Sequence, residues 1–375
     1  MRVTCLTKRW DHHTKSGGYD RLATAVGANV VEREVVDGLA LKAARKLWLR
    51  RTKTASYLLD YQFGDFLAEL KVLTSSFITP PDILHVLYGD EQLDQLIKHR
   101  TLLRCPLVAS FHLPSYRVAD RFDVLQPDIR KTIDAAIVLA TDQVRCFAKW
   151  IDPERIVYVP HGIDTERFSP AERTSDRAGL QLLIVGSHMR DWSVTHNVID
   201  RVAQLGLPVE FHIVTQWPYC YHFTGCRNVR FHSEISELEL IALYRQSDAL
   251  LLPVVDSTAN NSVLEGLACG TPVISTRVGG IPDYVDDRCG WLFSKGEVEP
   301  IVRLVERLHS EPDHAASRRG RARQQALKFD WQEIAKKLEL VYGAVAEGRA
   351  PAEALSGSPS QCERRQKASE YLDAG

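Results

Sequence analysis

Apolar residues along the chain fall in short uninterrupted runs rather than in alternation. RVTCLT (2–7), ILHVLYG (83–89), PLVASFH (106–112), AAIVLA (135–140) and IVYVP (156–160) form one series. LLIVG (182–186), VEFHIV (209–214), VRFH (229–232), ALLLPVV (249–255), PVIST (272–276) and GWLF (290–293) form a second. Runs of this length without a polar face predict strands buried on both sides. Helical periodicity lies between them, as in THNVIDRVAQLG (195–206) and SELELIALYRQSD (236–248). Strand and helix in alternation predict an α/β protein with two doubly wound, Rossmann-like parallel sheets, each covered by helices on both faces. The two series part at the polar segment PHGIDTERFSPAERTSDRAG (160–179). The expected organisation is a first domain over 1–165, a linker over 166–179 and a second domain over 180–346. The amphipathic segment FDWQEIAKKLELVYGAV (329–345) closes the second domain, and residues 347–375, poor in large apolar side chains, read as a disordered tail. Ligands of such sheets bind outside the carboxyl ends of the strands, so the expected site is a cleft between facing domains.

Composition narrows the class. The chain has 375 residues, too many for one ordinary core, with 45% hydrophobic and 25% charged residues. A net charge of −1 gives no electrostatic footprint for nucleic acid. The eight cysteines include no Cys-x-x-Cys pair and several sit in apolar runs, which fits reduced, buried thiols and a cytoplasmic protein. Cys220 and Cys226 flank His222 at a spacing too long for a zinc site, with no second ligand pair. The first residues lack the apolar stretch of a secretory signal. The longest uninterrupted apolar run, residues 249–255, is far short of the roughly 20 residues a membrane-spanning helix needs.

The chemistry concentrates in DSTANNSVLEGLACGTPVISTRVGGIPDYV, residues 256–285. A polar loop follows the strand ALLLPVV and leads into a short helix closing at Gly270. Ser262 and Glu265 have the spacing of a capping box, with Ser262 as cap and Glu265 returning to the helix start. The free amides and positive dipole end of such a helix suit a diphosphate. An acid one turn inside also suits a ribose diol, and the two roles are compatible. Gly279-Gly280 permits close backbone approach.

LEGLACGTPVIST and VGGIPDYV at this spacing, with PHGIDTERF, LLIVGS and the closing FDWQEIAKKLELVY, resemble the C-terminal domain of retaining glycosyltransferases of the GT-B fold, glycosyltransferase family 4 (group 1). The resemblance is weaker over the first domain. It implies transfer of a sugar from a nucleotide-diphosphate-sugar donor to an acceptor hydroxyl with retention, and no essential metal or other cofactor. Glu265 then holds the ribose, the helix start at Asn260, Asn261 and Ser262 lies at the donor, and His112 contacts the transferred sugar. Gly17 and Gly18 approach the donor from the first domain. The pattern departs at two places. Its first acid falls on Ser257, so either Asp256, the nearest carboxylate, substitutes or the sugar hydroxyls are met by Ser257, Asn260, Asn261 and backbone amides. Its phosphate-binding cations fall on Ser187 and Trp192, leaving Arg190 as the diphosphate candidate. For Arg190 the alternative is a surface arginine beside Asp191. His161 and Asp164 shape the hinge, with Asp164 capping TERF.

Two alternatives to transfer stay open: epimerisation or hydrolysis of a nucleotide-sugar on the same fold, and a catalytically silent binding protein. Residues 39–59 add one more feature. They contain no acid, and Lys42, Arg45, Lys46, Arg50 and Lys53 share a helical face, with Ala40, Leu41, Ala44, Leu47 and Trp48 opposite. This is either a solvated face backed onto the core or a peripheral contact with anionic lipid or a lipid-linked acceptor.

Overall fold

Twelve strands carry the architecture among the residues described by the computed structural model, namely 1–9, 18–35, 37–51, 61–115, 117, 129, 132–172, 179–220 and 223–355. Gly17 and Lys53 lie outside them. The first six strands are β1 (Val3–Thr7), β2 (Asn29–Glu32), β3 (Ile83–Val86), β4 (Leu107–Phe111), β5 (Ala135–Val138) and β6 (Ile156–Tyr158). They form one parallel sheet in the order β2-β1-β3-β4-β5-β6. The second six are β7 (Leu180–Val185), β8 (Val209–Val214), β9 (Val229–His232), β10 (Ala249–Leu252), β11 (Val273–Thr276) and β12 (Gly290–Phe293). Their sheet is also parallel, in the order β12-β11-β10-β7-β8-β9. Only β2 has no counterpart among the apolar runs. It is an edge strand of four residues, mostly exposed, so little burial marks it in the sequence.

Each sheet buries both faces, as continuous apolar strands require. In the first, Leu6, Val86, Ala109 and Phe111 pack with Ala68, Val72 and Leu73 of helix Phe63–Ile78. In the second, Leu183, Leu250 and Leu252 meet Val263, Leu264 and Leu267 of helix Asn261–Ala268. The opposite face sets Leu182, Ile184, Ile213 and Leu251 against helices Trp192–Gln204 and Glu299–Ser310.

The chain divides into two compact units, Met1–His161 together with the segment from Gln332, and Gly162–Trp331. Helix Trp331–Ala346, expected to close the second domain, therefore belongs from Gln332 onward to the first. The reason is visible at Tyr342, fully buried on that helix, which bonds to His85 of β3. The expected tail also differs in part: Pro351–Glu353 forms a 3-10 turn, and Ala352 and Leu355 are buried. The boundary falls at Gly162 rather than in 166–179. There the two chain crossings run side by side, with Ile163 bridged to Asp330 and the Thr165 hydroxyl donating to Asp330 Oδ2 at 2.5 Å. Asp164 caps the next turn as expected, accepting from Arg167 N at 2.9 Å.

Helix Leu39–Arg51 buries little. Leu39, Leu41 and Leu47 are exposed, and Trp48 alone makes aromatic contacts, with Tyr61, Phe63 and Phe66. No helix among the described residues is long and apolar enough to cross a membrane.

Candidate functional site

The carboxyl edge of the second sheet is assembled from three loops. β7 ends at Gly186, whose φ of +79° turns the chain sharply, and the loop to Asp191 zips onto the end of β10. Asp191 N donates to Pro253 O at 2.9 Å and Val255 N to Met189 O at 2.9 Å. Asp191 then caps helix Trp192–Gln204 by accepting from Val194 N at 3.0 Å. The third loop, after β11, presses Gly279-Gly280 against the 256–257 segment. Gly280 N donates to Ser257 O at 2.8 Å, and Gly279 adopts φ +47°. A Cβ at 279 would overlap the Ser257 carbonyl and sit 2.6 Å from Asp256 Oδ1. The close approach expected of this glycine pair is thus made to the chain's own polar loop.

Helix Asn261–Ala268 starts one residue before the expected cap. Asn260, with extended backbone, is the N-cap, its side-chain oxygen accepting from Val263 N at 3.4 Å. Ser262 is buried inside the first turn, and its hydroxyl accepts from Arg190 at 3.3 Å. Glu265 does not return to the helix start. Its carboxylate accepts a hydrogen bond from the Tyr244 hydroxyl at 2.9 Å, fully buried. The capping-box expectation fails because Asn260 already supplies the cap and Tyr244, on helix Glu237–Gln246, supplies Glu265 with a partner inside the fold.

Burial pushes the Glu265 carboxyl up to about 7, against the downward pull of the Tyr244 hydrogen bond and the Arg190 charge. Arg190 is half-buried and turned back onto its own chain rather than paired with Asp191 at the surface. Its guanidinium donates from Nε and a terminal nitrogen to Val185 O at 2.9 and 2.6 Å, and to His188 O at 2.9 Å. Burial lowers it to about 10, while Tyr244 and Glu265 oppose that shift. A half-buried arginine and a buried tyrosine, serine and glutamate thus form one group behind the helix start. Four of the arginine's N–H groups are engaged, three by the Val185 and His188 carbonyls and one by Ser262, so its charge supports this edge from beneath.

Asp256, Ser257, Asn260 and Asn261 complete the same edge. Asp256 Oδ1 accepts from Ser257 N at 2.7 Å, and Asn260 Nδ2 reaches Ser257 Oγ at 3.5 Å. Thr258, beside them, and Thr215, at the end of β8, bury hydroxyl oxygens that have no protein partner. Neither threonine, nor Tyr244, carries a sequence signal for a site. A tyrosine on an apolar helical stripe reads as core, and a threonine after a strand reads as loop. No group of three or more His, Cys, Asp or Glu side chains with metal-binding geometry occurs among the described residues.

The remaining two described residues of the expected site lie in the other unit. Gly18 has φ +118° and opens the turn into helix Arg21–Ala25. His112 follows β4, where its Nε2–H donates to Leu87 O at 2.7 Å and its backbone N–H donates to Asp90. Its ring stacks on Tyr88 with centroids 4.8 Å apart and meets Tyr19 edge-on at 4.6 Å. Asp90, Tyr88 and Tyr19 likewise carry no sequence signal of their own.

Comparison with known proteins fits these elements. Residues 179–311 match the family described as Glycosyl transferases group 1. The sulfoquinovosyl transferase of Arabidopsis thaliana is 24% identical over 303 residues, 69% of this chain and 56% of that protein. An MMP alpha-(1->4)-mannosyltransferase of Mycolicibacterium hassiacum is 26% identical over 215 residues, covering 54% of this chain and 51% of its own. The chain therefore spans little more than half the length of these relatives. Among solved structures, HepE of Anabaena in complex with UDP superposes with TM-score 0.68 at 17% identity, over 92% of this chain and all of that one. Sucrose-phosphate synthase of Thermosynechococcus elongatus gives 0.70 at 15% identity, over 93% of this chain and all of that one. The chain has the two-sheet α/β architecture of GT-B glycosyltransferases, and its segment 179–311, which holds the Arg190–Ser262–Glu265 group, carries the sequence pattern of glycosyl transferases group 1.

Proposed function

We propose that the protein is a glycosyltransferase that moves a sugar from a nucleotide-diphosphate-sugar to an acceptor hydroxyl with retention of anomeric configuration. The observation that carries this reading is the buried Glu265, held by Tyr244 behind a helix start at the carboxyl edge of a parallel sheet. The amides opening that helix receive the diphosphate, with Arg190 lending charge from below. Glu265 accepts from the ribose diol, and Thr215, after β8, and Thr258, after β10, offer unpartnered hydroxyls at the carboxyl ends of the strands. Asp256, Asn260 and Asn261 meet the sugar hydroxyls where Ser257 stands in place of an acid, and the same reading gives His112 and Gly18, both in the first unit, a part in recognising the sugar. As the anomeric bond breaks, negative charge grows on the leaving diphosphate, and preorganised amides stabilise it without reorganising. The acceptor attacks from the same face and gives its proton to a diphosphate oxygen, so neither a metal nor a protein base is required. Two solved HepE structures are described as complexes with UDP-glucose and with UDP, and this supports a nucleotide-sugar as donor.

Helix Leu39–Arg51 supports a lipid-linked acceptor. Its exposed leucines and cations, with no acid in the segment, suit an anionic membrane surface. Ser257 favours one competing reading, a protein that binds the donor without transferring the sugar.

A thermal-shift screen of nucleotide-sugars, UDP-glucose first, tests the proposal. A donor at 100 times its Kd adds about 2.7 kcal/mol of stability. The expected result is a shift abolished by Glu265→Ala, with donor consumption that depends on an acceptor. A shift without turnover across varied acceptors supports the binding-protein reading, and no shift with any nucleotide-sugar overturns both.

A further inference from the structure

The first sheet has a polar seam on the face opposite its apolar cluster. Side chains alternate along a strand, so Leu6, Val86 and Ala109 fill one face, while Cys5, His85 and Ser110 point to the other. Four buried groups join there in a line. Tyr342 OH, on the last long helix, lies 2.6 Å from His85 Nδ1. His85 Nε2 lies 2.8 Å from Ser110 Oγ, and Ser110 Oγ lies 3.0 Å from Tyr19 OH. All four side chains are 1% exposed or less. Burial pushes His85 down to about 3 and the Cys5 thiol beside it up to about 12, so both stay neutral in ordinary buffers.

A neutral imidazole donates from one nitrogen and accepts at the other. The hydroxyls on either side must therefore point the same way along the line, and a change at one end is felt at the other. That far end is Tyr19. It follows Gly18, with its φ of +118°, and its ring stands edge-on to His112 at 4.6 Å and tilted toward His161 at 5.3 Å. His112 is clamped from its other side by Tyr88.

We infer that Tyr342, His85 and Ser110 are positioning residues, which fix Tyr19 and through it the orientation of the His112 imidazole. The inference rests on the reading of His112 as the residue facing the sugar. It explains why a helix from the far end of the sequence is built into the first unit: it supplies the outermost hydroxyl of a line that ends at the site.

The test uses the full chain with labelled histidine and follows the His112 Cε1–H resonance by NMR, so it needs no substrate and stands apart from any failure to find a donor. Tyr342→Phe and Ser110→Ala each remove one oxygen and keep the packing. Both are expected to shift the His112 resonance, and the double variant is expected to shift it no further than Ser110→Ala alone. Val345→Ala, on the same helix but off the line, is expected to lower the melting temperature and leave His112 unmoved. A lowered melting temperature with an unmoved His112 in Tyr342→Phe and Ser110→Ala would make the line a plain structural strut and overturn the inference. Equal movement in Val345→Ala would do the same.

Discussion

At Glu265 burial and charge are set against each other. Its carboxyl ionises near 4.5 in the unfolded chain and near 7 in the fold. The folded state thus holds a proton that the unfolded state has lost, and the stability gained from it is complete below 4.5 and gone once pH has risen through 7. The difference is on the order of 3 kcal/mol. Glu265→Gln keeps the shape and removes the titration. Denaturation curves should therefore show the variant gaining on the native protein as pH rises from 4.5 to 8, while UDP-glucose protects the variant less than the native protein. A gap that does not change with pH would mean that Arg190 compensates the charge fully. Arg190 itself organises the loop. Arg190→Ala deletes bonds to Val185 O, His188 O and Ser262, and should cost about 3 kcal/mol by urea unfolding. With that cation gone, the Glu265 pKa should move further up.

Elements place these residues by how they end. β7 stops at a glycine in the left-handed region, β10 opens into the 256–260 loop, and β11 delivers Gly279 onto that loop. Gly279→Ala meets both a positive φ and a backbone carbonyl at overlap distance. We expect it to destabilise the fold by about 2 kcal/mol and to reduce donor-induced stabilisation. Gly296, also at positive φ but with open space where a Cβ would go, is the comparison: Gly296→Ala should leave donor response intact. The position of the cap shows what periodicity cannot reach. Ser262 and Glu265 satisfy the spacing of a capping box, yet Asn260 caps the helix, because Ser262 and Glu265 are drawn inward by Arg190 and Tyr244. Spacing along one segment carries no information about partners 20 or 70 residues away.

Across the whole molecule the exposed helix Leu39–Arg51 stands out, since a helix that buries little of itself gains little from packing on its own unit. Liposome cosedimentation with anionic lipid should show binding that falls on the order of 100-fold when Arg45, Lys46 and Arg50 become Ala, at about 1 kcal/mol for each charge. Binding that is unchanged, or absent in the native protein, removes the membrane contact from the proposal. The division of the chain is the other feature at this scale. Two units are made from three stretches, because Gln332 returns the chain to the first.

By itself the sequence determined the α/β class, the two parallel sheets and the segment that forms the candidate donor edge. These follow from continuous apolar strands, helical spacing and glycines at fixed places, all of which are local signals. Only the tertiary structure decided that Asn260 rather than Ser262 caps the helix, that Arg190 lies beneath the loop, and that Tyr244 is the partner of Glu265. It also decided that Tyr342 belongs to the first unit, and it revealed β2, whose exposed edge leaves no apolar run. Each of these depends on contacts between residues far apart in the chain, and such contacts are fixed by packing and by the need to satisfy buried polar groups rather than by local pattern.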